Sequence, residues 1–410
     1  MASLILTSDN PNFSFIINKN PNSGMKAKHI RNGTIFGWYY PNNSYNIVFF
    51  DGNDEISFKQ YPNQEYDYCN ENQYNSPLFI MTAINQFFSL KKHEKDISSN
   101  CSIVITSVKI NRLKYFERII QYFPKFKFNY QQIYEDNYTL TILGTSIYEL
   151  LNLTYLLAFF LMIDDYISFN KDKAFALRLI KCAQVINAPY YIRYLIKCYA
   201  VLDSFYKDVK NELENSKTEI IKFTPNNNAD IRFKTISSLI TRQYSILDFG
   251  CGEGYFLKLA SSVSKYYCVD KNNELEKIIN SKIQKYGLTN VNFSTNMPII
   301  NENYEVILTE VFEHNKLSDI LTIMNKWFND INCKQIILTT PNKDFNQFYL
   351  LKDNELRHPD HKFELTKQQL TNIFNNIPEW HITIKGLGDT VNDIPTTFLV
   401  IFRRNENESI

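Results

Sequence analysis

The sequence predicts an α/β protein, a doubly wound and mostly parallel sheet in the carboxyl-terminal half preceded by an α+β module. Three observations carry this. Beyond residue 244, short β-branched and aromatic runs alternate with helical patterns, the signature of a parallel sheet with both faces covered. A glycine-rich turn, Asp248-Phe-Gly-Cys-Gly-Glu-Gly254, follows the first of those runs. Ahead of it, strands and helices also mix, but no nucleotide loop, metal cluster or nucleophile elbow accompanies them. At 410 residues the chain is long enough for two domains with separate cores. The division is placed at residues 1–224 and 225–410.

In the first part, Ile47-Val-Phe-Phe50 and Ser102-Ile-Val-Ile-Thr106 read as strands because they are β-branched and aromatic, and Asp51-Gly-Asn-Asp54 is a turn signal after the first. Apolar residues recur at helical spacing from Ser146 to Phe160 and from Lys173 to Ile186. Residues 211–230 are polar and contain Pro225-Asn-Asn-Asn228, which marks a linker. Strands then fit Tyr244 to Asp248, Tyr266 to Asp270, Val291 to Phe293, Tyr304 to Glu310, Lys334 to Thr340, His381 to Ile384 and Thr397 to Phe402. Helices fit Glu274 to Tyr286 and Lys367 to Phe374.

Composition removes several classes of function. A formal net charge of +1 gives no global basic field for unspecific nucleic-acid binding, so any such contact is a local patch. Seven scattered cysteines without a CxxC pair suit a reducing compartment. The first residues lack a basic, apolar leader pattern, and the most apolar run, Tyr155 to Ile163, is too short to span a bilayer and reads as a buried helix. A cytoplasmic protein with no membrane partner is expected.

The glycine loop is the first chemical signal. Gly250, Gly252 and Gly254 are three of only 11 glycines in the chain, packed into five positions between a strand and a helix. Glycine there permits a tight turn and close approach of backbone to a ligand at a helix amino terminus. Asp270, at the end of the next strand, is where an acid receives ribose hydroxyls. A GxGxG preceded by Asp248 resembles class I S-adenosylmethionine-dependent methyltransferases more than the dinucleotide fingerprint GxGxxG. NAD binding is the weaker alternative, because the third glycine arrives one residue early.

The second signal is Glu310-Val-Phe-Glu-His314, read with Arg357-His-Pro-Asp-His-Lys-Phe-Glu364; together they hold three of the six histidines. Glu310, Glu313 and His314, at i, i+3 and i+4, can share one face of a helical turn after the fourth strand. His361 would close a four-ligand site of two carboxylates and two imidazoles. Singly, each is a surface charge or a core histidine; together, beside a nucleotide loop, they point to a divalent metal. Oxygen ligands favour magnesium or manganese, and two imidazoles shift the balance toward manganese, cobalt or iron.

These motifs, in order with Thr340-Pro-Asn-Lys-Asp-Phe-Asn346, resemble the RNA 3′-terminal ribose 2′-O-methyltransferases, the family that modifies small silencing RNAs. Ser14 to Pro21, Phe36 to Pro41, Tyr74 to Pro77, Leu140 to Thr145 and Leu156 to Asp165 are similar to the amino-terminal module of its bacterial RNA-repair branch. The resemblance implies a class I fold with a seven-stranded sheet, and methyl transfer from S-adenosylmethionine to the 2′-hydroxyl of the terminal nucleotide of RNA 3′ ends. It also implies a partnership with a polynucleotide kinase-phosphatase-ligase that the amino-terminal module activates. By the same resemblance, Asp248, Gly250, Gly252, Gly254 and Asp270 hold the cofactor, and Glu310, Glu313, His314 and His361 hold Mg or Mn. Arg357 and His358 lie near the terminal nucleotide, and Asn342 shapes the site; the general base is left open. Two departures stand out: Ser294 to Ile300 is shorter than the family's segment, and Leu365 replaces its tryptophan. The alternatives are a ligase-activating scaffold with weak or no methyltransferase activity, and a class I methyltransferase for a non-RNA substrate.

Overall fold

The structure, a computed structural model, describes residues 3–30, 33–40, 43–50, 76–97, 99–164, 171–225 and 228–405. The turn signal Asp51 to Asp54, the start of the Tyr74 segment, Asp165, and residues 226 and 227 of the linker lie outside the described residues. The chain divides into two compact units, Met1–Thr218 and Glu219–Ile410.

The first unit is built on strands β1 (Ser3–Ser8), β2 (Lys26–Ile30), β3 (Gly33–Tyr40), β4 (Ser44–Phe50), β5 (Cys101–Lys109), β6 (Lys127–Tyr134) and β7 (Asn137–Gly144). They pair in the order β2-β3-β4-β1-β5-β7-β6, every pairing antiparallel. Burial alternates along β1 and much of β5 and β7, so one face of the sheet is the core face. Helix Ile147–Asp164 packs on that face, flanked by helices Pro77–Phe87 and Lys173–Val185. By length and composition this 18-residue helix could cross a membrane; here it is the core helix, with Leu150, Leu153, Leu156 and Phe159 among its buried residues. It is apolar around its whole circumference because packing surrounds it. It is also longer than the apolar run read from the sequence, since Asp96 caps its start by accepting from the amides of Ile147 and Tyr148.

The second unit carries β8 (Ile221–Lys222), β9 (Ser245–Phe249), β10 (Tyr266–Val269), β11 (Val291–Ser294), β12 (Tyr304–Thr309), β13 (Cys333–Pro341), β14 (Trp380–Val391) and β15 (Ile394–Arg404). Their order is β11-β10-β9-β12-β13-β15-β14-β8. The first five in that order are parallel, and β13–β15, β15–β14 and β14–β8 are antiparallel. β9 and β12 are buried along nearly their whole length, as central parallel strands must be. Separate apolar clusters, one around Phe312, Trp327 and Phe402 and one around Phe256, Tyr266 and Ile279, fill the unit's interior. Local signals agree with the elements: a reciprocal Thr366–Gln369 capping box opens helix Lys367–Ile373, and Gly287, at φ 62°, ends helix Leu275–Tyr286.

Two differences from the sequence reading have plain causes. The sheet has an eighth strand, β8, which at two residues is too short to leave a periodic pattern. It pairs with β14, and Thr224 donates through its amide and hydroxyl to the buried Asp389 at 2.8 and 2.6 Å. Residues from Glu219 onward therefore fold with the second unit, ahead of the division at 224/225 read from composition.

Candidate active site

The carboxyl ends of β9, β10 and β12 open on a cavity of about 510 Å³, the edge of a doubly wound sheet where ligands bind. One wall is Phe249, Gly250, Val269, Asp270 and Thr295; the other is Glu310, Val311, His314, Asp360 and Lys362.

On the first wall the backbone does most of the shaping. Gly250 sits at φ 72°, and a Cβ there would lie 2.4 Å from Cγ2 of Val311, so both conformation and space demand glycine. Asp270 accepts from the Gly252 amide at 3.0 Å and from the Asn272 amide at 3.0 Å, bracing the loop while it lines the cavity. Two expectations change. Asp248 does not face the cavity: it is buried, accepts from the Tyr266 hydroxyl at 2.8 Å, and burial pushes its carboxyl up to about 7. The loop leads into a 3₁₀ turn, Leu257–Ser262, in place of the expected α-helix. Gly252 faces open space and Gly254 packs on Ile279.

On the second wall, side chains do the shaping. Phe312–His314 is a short 3₁₀ turn separated from the helix Leu317–Asn329, so the predicted helical face does not form. Glu313, His314 and His361 nevertheless bring one ligand atom each to within 4.8 Å of one another. Glu313 is fully buried; Oε2 accepts from the Thr340 hydroxyl at 3.1 Å, and Oε1 has no hydrogen-bond partner. Burial, with the nearby Glu310 charge adding to it, pushes the Glu313 carboxyl up to about 8. The His314 imidazole is held below its ordinary value by burial and then by His361 and His358. The ring centroids of His314 and His361 are 4.8 Å apart, and Nδ1 of His361 lies 2.6 Å from Oε1 of Glu364. The Lys362 amide donates to the Glu313 carbonyl at 2.7 Å, tying the segment 357–364 to the turn.

Glu310 is brought close but not into this trio. Its backbone is left-handed, φ 54°. Its carboxylate meets Nη1 of Arg232 at 2.9 Å and accepts from the Thr339 hydroxyl at 3.2 Å. Arg232, in helix Asn228–Leu239, is a site residue the sequence reading missed; a lone arginine in a polar stretch carries no local signal.

Arg357 and Asn342 also differ from expectation. The Arg357 guanidinium does not point at a nucleotide: Nε donates to Asn346 at 2.6 Å, Nη1 to the Thr396 carbonyl at 2.7 Å and Nη2 to the Asn342 carbonyl, and the group stacks over Phe345 and Tyr349. Asn342 is buried, its amide donating to the Pro395 carbonyl and its oxygen accepting from the Asp344 amide, so it holds the loop from behind. His358 is exposed; its ring lies 5.6 Å from His361 and its Nδ1 accepts from the Asp360 amide. Leu365, in place of the family's tryptophan, is buried and bridges to Asn342.

A buried carboxylate with one oxygen lacking a hydrogen-bond partner, grouped with two imidazoles, is a set of donors that could hold a divalent cation. The sheet order and the glycine turn after β9 are those of a class I methyltransferase fold, with this cluster at its carboxyl edge. Residues 3–218, more than half of the chain, match the Hen1 N-terminal domain family. The chain belongs to the Hen1 family.

Its likenesses extend over both units. A chain of the solved Pnkp1/Rnl/Hen1 RNA repair complex is 22% identical and superposes with a TM-score of 0.80 over 98% of this chain and 100% of that one, which shows a shared fold. The small RNA 2′-O-methyltransferase of Tetrahymena thermophila is 30% identical over 114 residues, 25% of this chain and 27% of its own length. That of Drosophila melanogaster is 23% identical over 190 residues, 39% of this chain and 49% of its own length. The chain thus spans about a quarter and about half of these two relatives.

Proposed function

We propose that this chain transfers a methyl group from S-adenosylmethionine to the 2′-hydroxyl of the 3′-terminal nucleotide of RNA. The observation that carries the reading is the cavity running from the glycine turn to the Glu313–His314–His361 cluster. Gly250 gives a flat wall for the cofactor, and Asp270, already holding the loop, offers carboxylate oxygens toward ribose hydroxyls. Mg or Mn would be held by Glu313, His314 and His361, with Glu310 beside them on the cavity wall. A cation in that place supplies the positive charge that lowers the pKa of a ribose hydroxyl and fixes its position. The protein's own part is to hold that hydroxyl in line with the methyl group. His358, exposed beside the cluster, stands where a released proton leaves toward solvent.

The test is incubation of the full chain with labelled S-adenosylmethionine and short RNAs. Methylation should require Mg or Mn and a terminal ribose with both hydroxyls free. RNAs ending in 2′-deoxy, 3′-deoxy or 3′-phosphate should be inert; efficient methylation of a 3′-phosphate end overturns the reading. We infer also that the unit Met1–Thr218 engages a kinase-phosphatase-ligase, supported by the likeness, over 98% of this chain, to a chain of the Pnkp1/Rnl/Hen1 repair complex. Co-purification with that enzyme tests it. A cytoplasmic site of action fits the free cysteines at positions 101, 182, 251, 268 and 333 among the described residues.

A further inference from the structure

We propose that Glu364 is the positioning residue of the metal centre, fixing the tautomer and direction of the His361 imidazole; the role rests on the metal reading above. The argument follows from which atoms can only donate. Nε of Arg357 is such a donor, so the Asn346 atom 2.6 Å from it must be the amide oxygen. The other end of that amide, Nδ2, then donates to Oε2 of Glu364 at 2.6 Å. Oε1 of Glu364 accepts the Arg357 backbone N–H at 2.8 Å and meets Nδ1 of His361 at 2.6 Å. The Glu364 side chain is entirely buried, and both its oxygens already accept N–H bonds. A carboxylate only accepts, so Nδ1 of His361 carries a hydrogen and Nε2 is the nitrogen left to offer a lone pair. A neutral imidazole with a free lone pair is what a cation requires of its ligand, and a carboxylate behind it raises its donor strength.

The chain Arg357–Asn346–Glu364–His361 therefore has one self-consistent arrangement of donors, set by an arginine that cannot reverse. This also explains why Arg357 is stacked and bonded inside the loop rather than presented to substrate. Asn346 and Glu364 lie 18 positions apart and come from two different segments of the edge, so the network locks those segments together.

The prediction is specific about substitution chemistry. Glu364→Gln can present its oxygen to His361, but its amide nitrogen then faces Nδ2 of Asn346, donor against donor. Asn346→Asp added to Glu364→Gln removes that conflict, because the introduced carboxylate would accept from both the new amide and Arg357. Two measurements on the full chain decide the matter. In ¹⁵N-histidine spectra without added metal, His361 should be the Nδ1–H tautomer. In Mn²⁺ titrations, Glu364→Gln should bind about 10- to 100-fold more weakly than wild type, as loss of an outer-shell partner does. The double variant should recover most of that loss. An Nε2–H tautomer, an unweakened Glu364→Gln, or a folded double variant no stronger than the single one each overturns the role. A wild-type chain that takes up no Mn²⁺ overturns the metal reading instead; failure of this role alone is recognised by wild type and Glu364→Gln binding equally.

Discussion

The two walls of the cavity are made by different means. The wall beside the glycine turn is a property of backbone: Gly250 lines it, in a turn with three glycines at positive φ within five residues, one braced by an aspartate just beyond the neighbouring strand. The acid–imidazole wall is a property of side chains from the turn after β12 and from the segment 357–364, with hydroxyls of β13 donating to its carboxylates. Backbone shape is encoded locally and survives changes around it. A side-chain network is encoded across the fold and fails when any partner is lost.

The widest separation of the two walls should come from Glu313→Ala. It removes the buried oxygen that faces His314 and His361, while Glu313 is not among the residues lining the cofactor wall. Mn²⁺ affinity should fall by more than about two orders of magnitude, beyond the roughly 10- to 100-fold cost of an outer-shell partner. Binding of S-adenosylhomocysteine, measured by calorimetry, should stay within about twofold. Equal loss of both ligands would show that the two walls are one cooperative unit.

This contrast also explains what the sequence made legible. The glycine turn, the mostly parallel sheet and the Glu313–His314–His361 grouping came from residues close in sequence or from short motifs. The misreadings lie where a side chain's direction depended on a distant neighbour. Asp248 was assigned to the cofactor by its place before the glycines, yet Tyr266 draws it into the core. Arg357 was placed beside the nucleotide by its motif, yet three carbonyl and amide oxygens consume it. Glu310 sits at the right strand end, but Arg232 from a distant helix engages its carboxylate, and nothing local to Glu310 announces that partner. Strand β8, with only two residues, left no pattern to find.

Gly250→Ala acts where the walls meet. The added methyl would sit 2.4 Å from Val311, the residue after Glu310, on a backbone at φ 72°. Strain at such a position costs about 1–3 kcal/mol before any clash is counted. The melting temperature should drop and S-adenosylhomocysteine binding should weaken by an order of magnitude or more, on the scale of about 1.4 kcal/mol per tenfold. Adding Val311→Ala should return the clash component and leave the φ component. Full recovery would mean that space alone, and not conformation, selects glycine there.

The buried Asp248 gives the backbone wall a pH signature. Its carboxyl is near 7 in the fold, above the ordinary unfolded value of about 3.9. Between those values the native state binds more protons than the unfolded one, so stability falls as pH rises from about 4 through 7. The effect is at most about 4 kcal/mol, at 1.36 kcal/mol per unit. Asp248→Asn should flatten the slope of unfolding free energy against pH in that window, whatever it does to stability at any single pH. An unchanged slope would place the titration elsewhere.

The smallest effect tests whether the side-chain wall is graded or all-or-none. Thr340→Val keeps shape at a fully buried position and removes only the hydroxyl that donates to Oε2 of Glu313. One such hydrogen bond is worth about 0.5–1.5 kcal/mol, and up to about 3 when the acceptor is charged. With Glu313 otherwise held by the turn and by Lys362 on its carbonyl, the carboxylate should keep its place with more freedom. Mn²⁺ affinity should then fall by about 3- to 10-fold, corresponding to roughly 0.7–1.4 kcal/mol, and cofactor binding should not change. A loss as large as that of Glu313→Ala would mean that the threonine hydroxyl fixes the carboxylate outright, and that the wall tolerates no partial occupancy of its bonds.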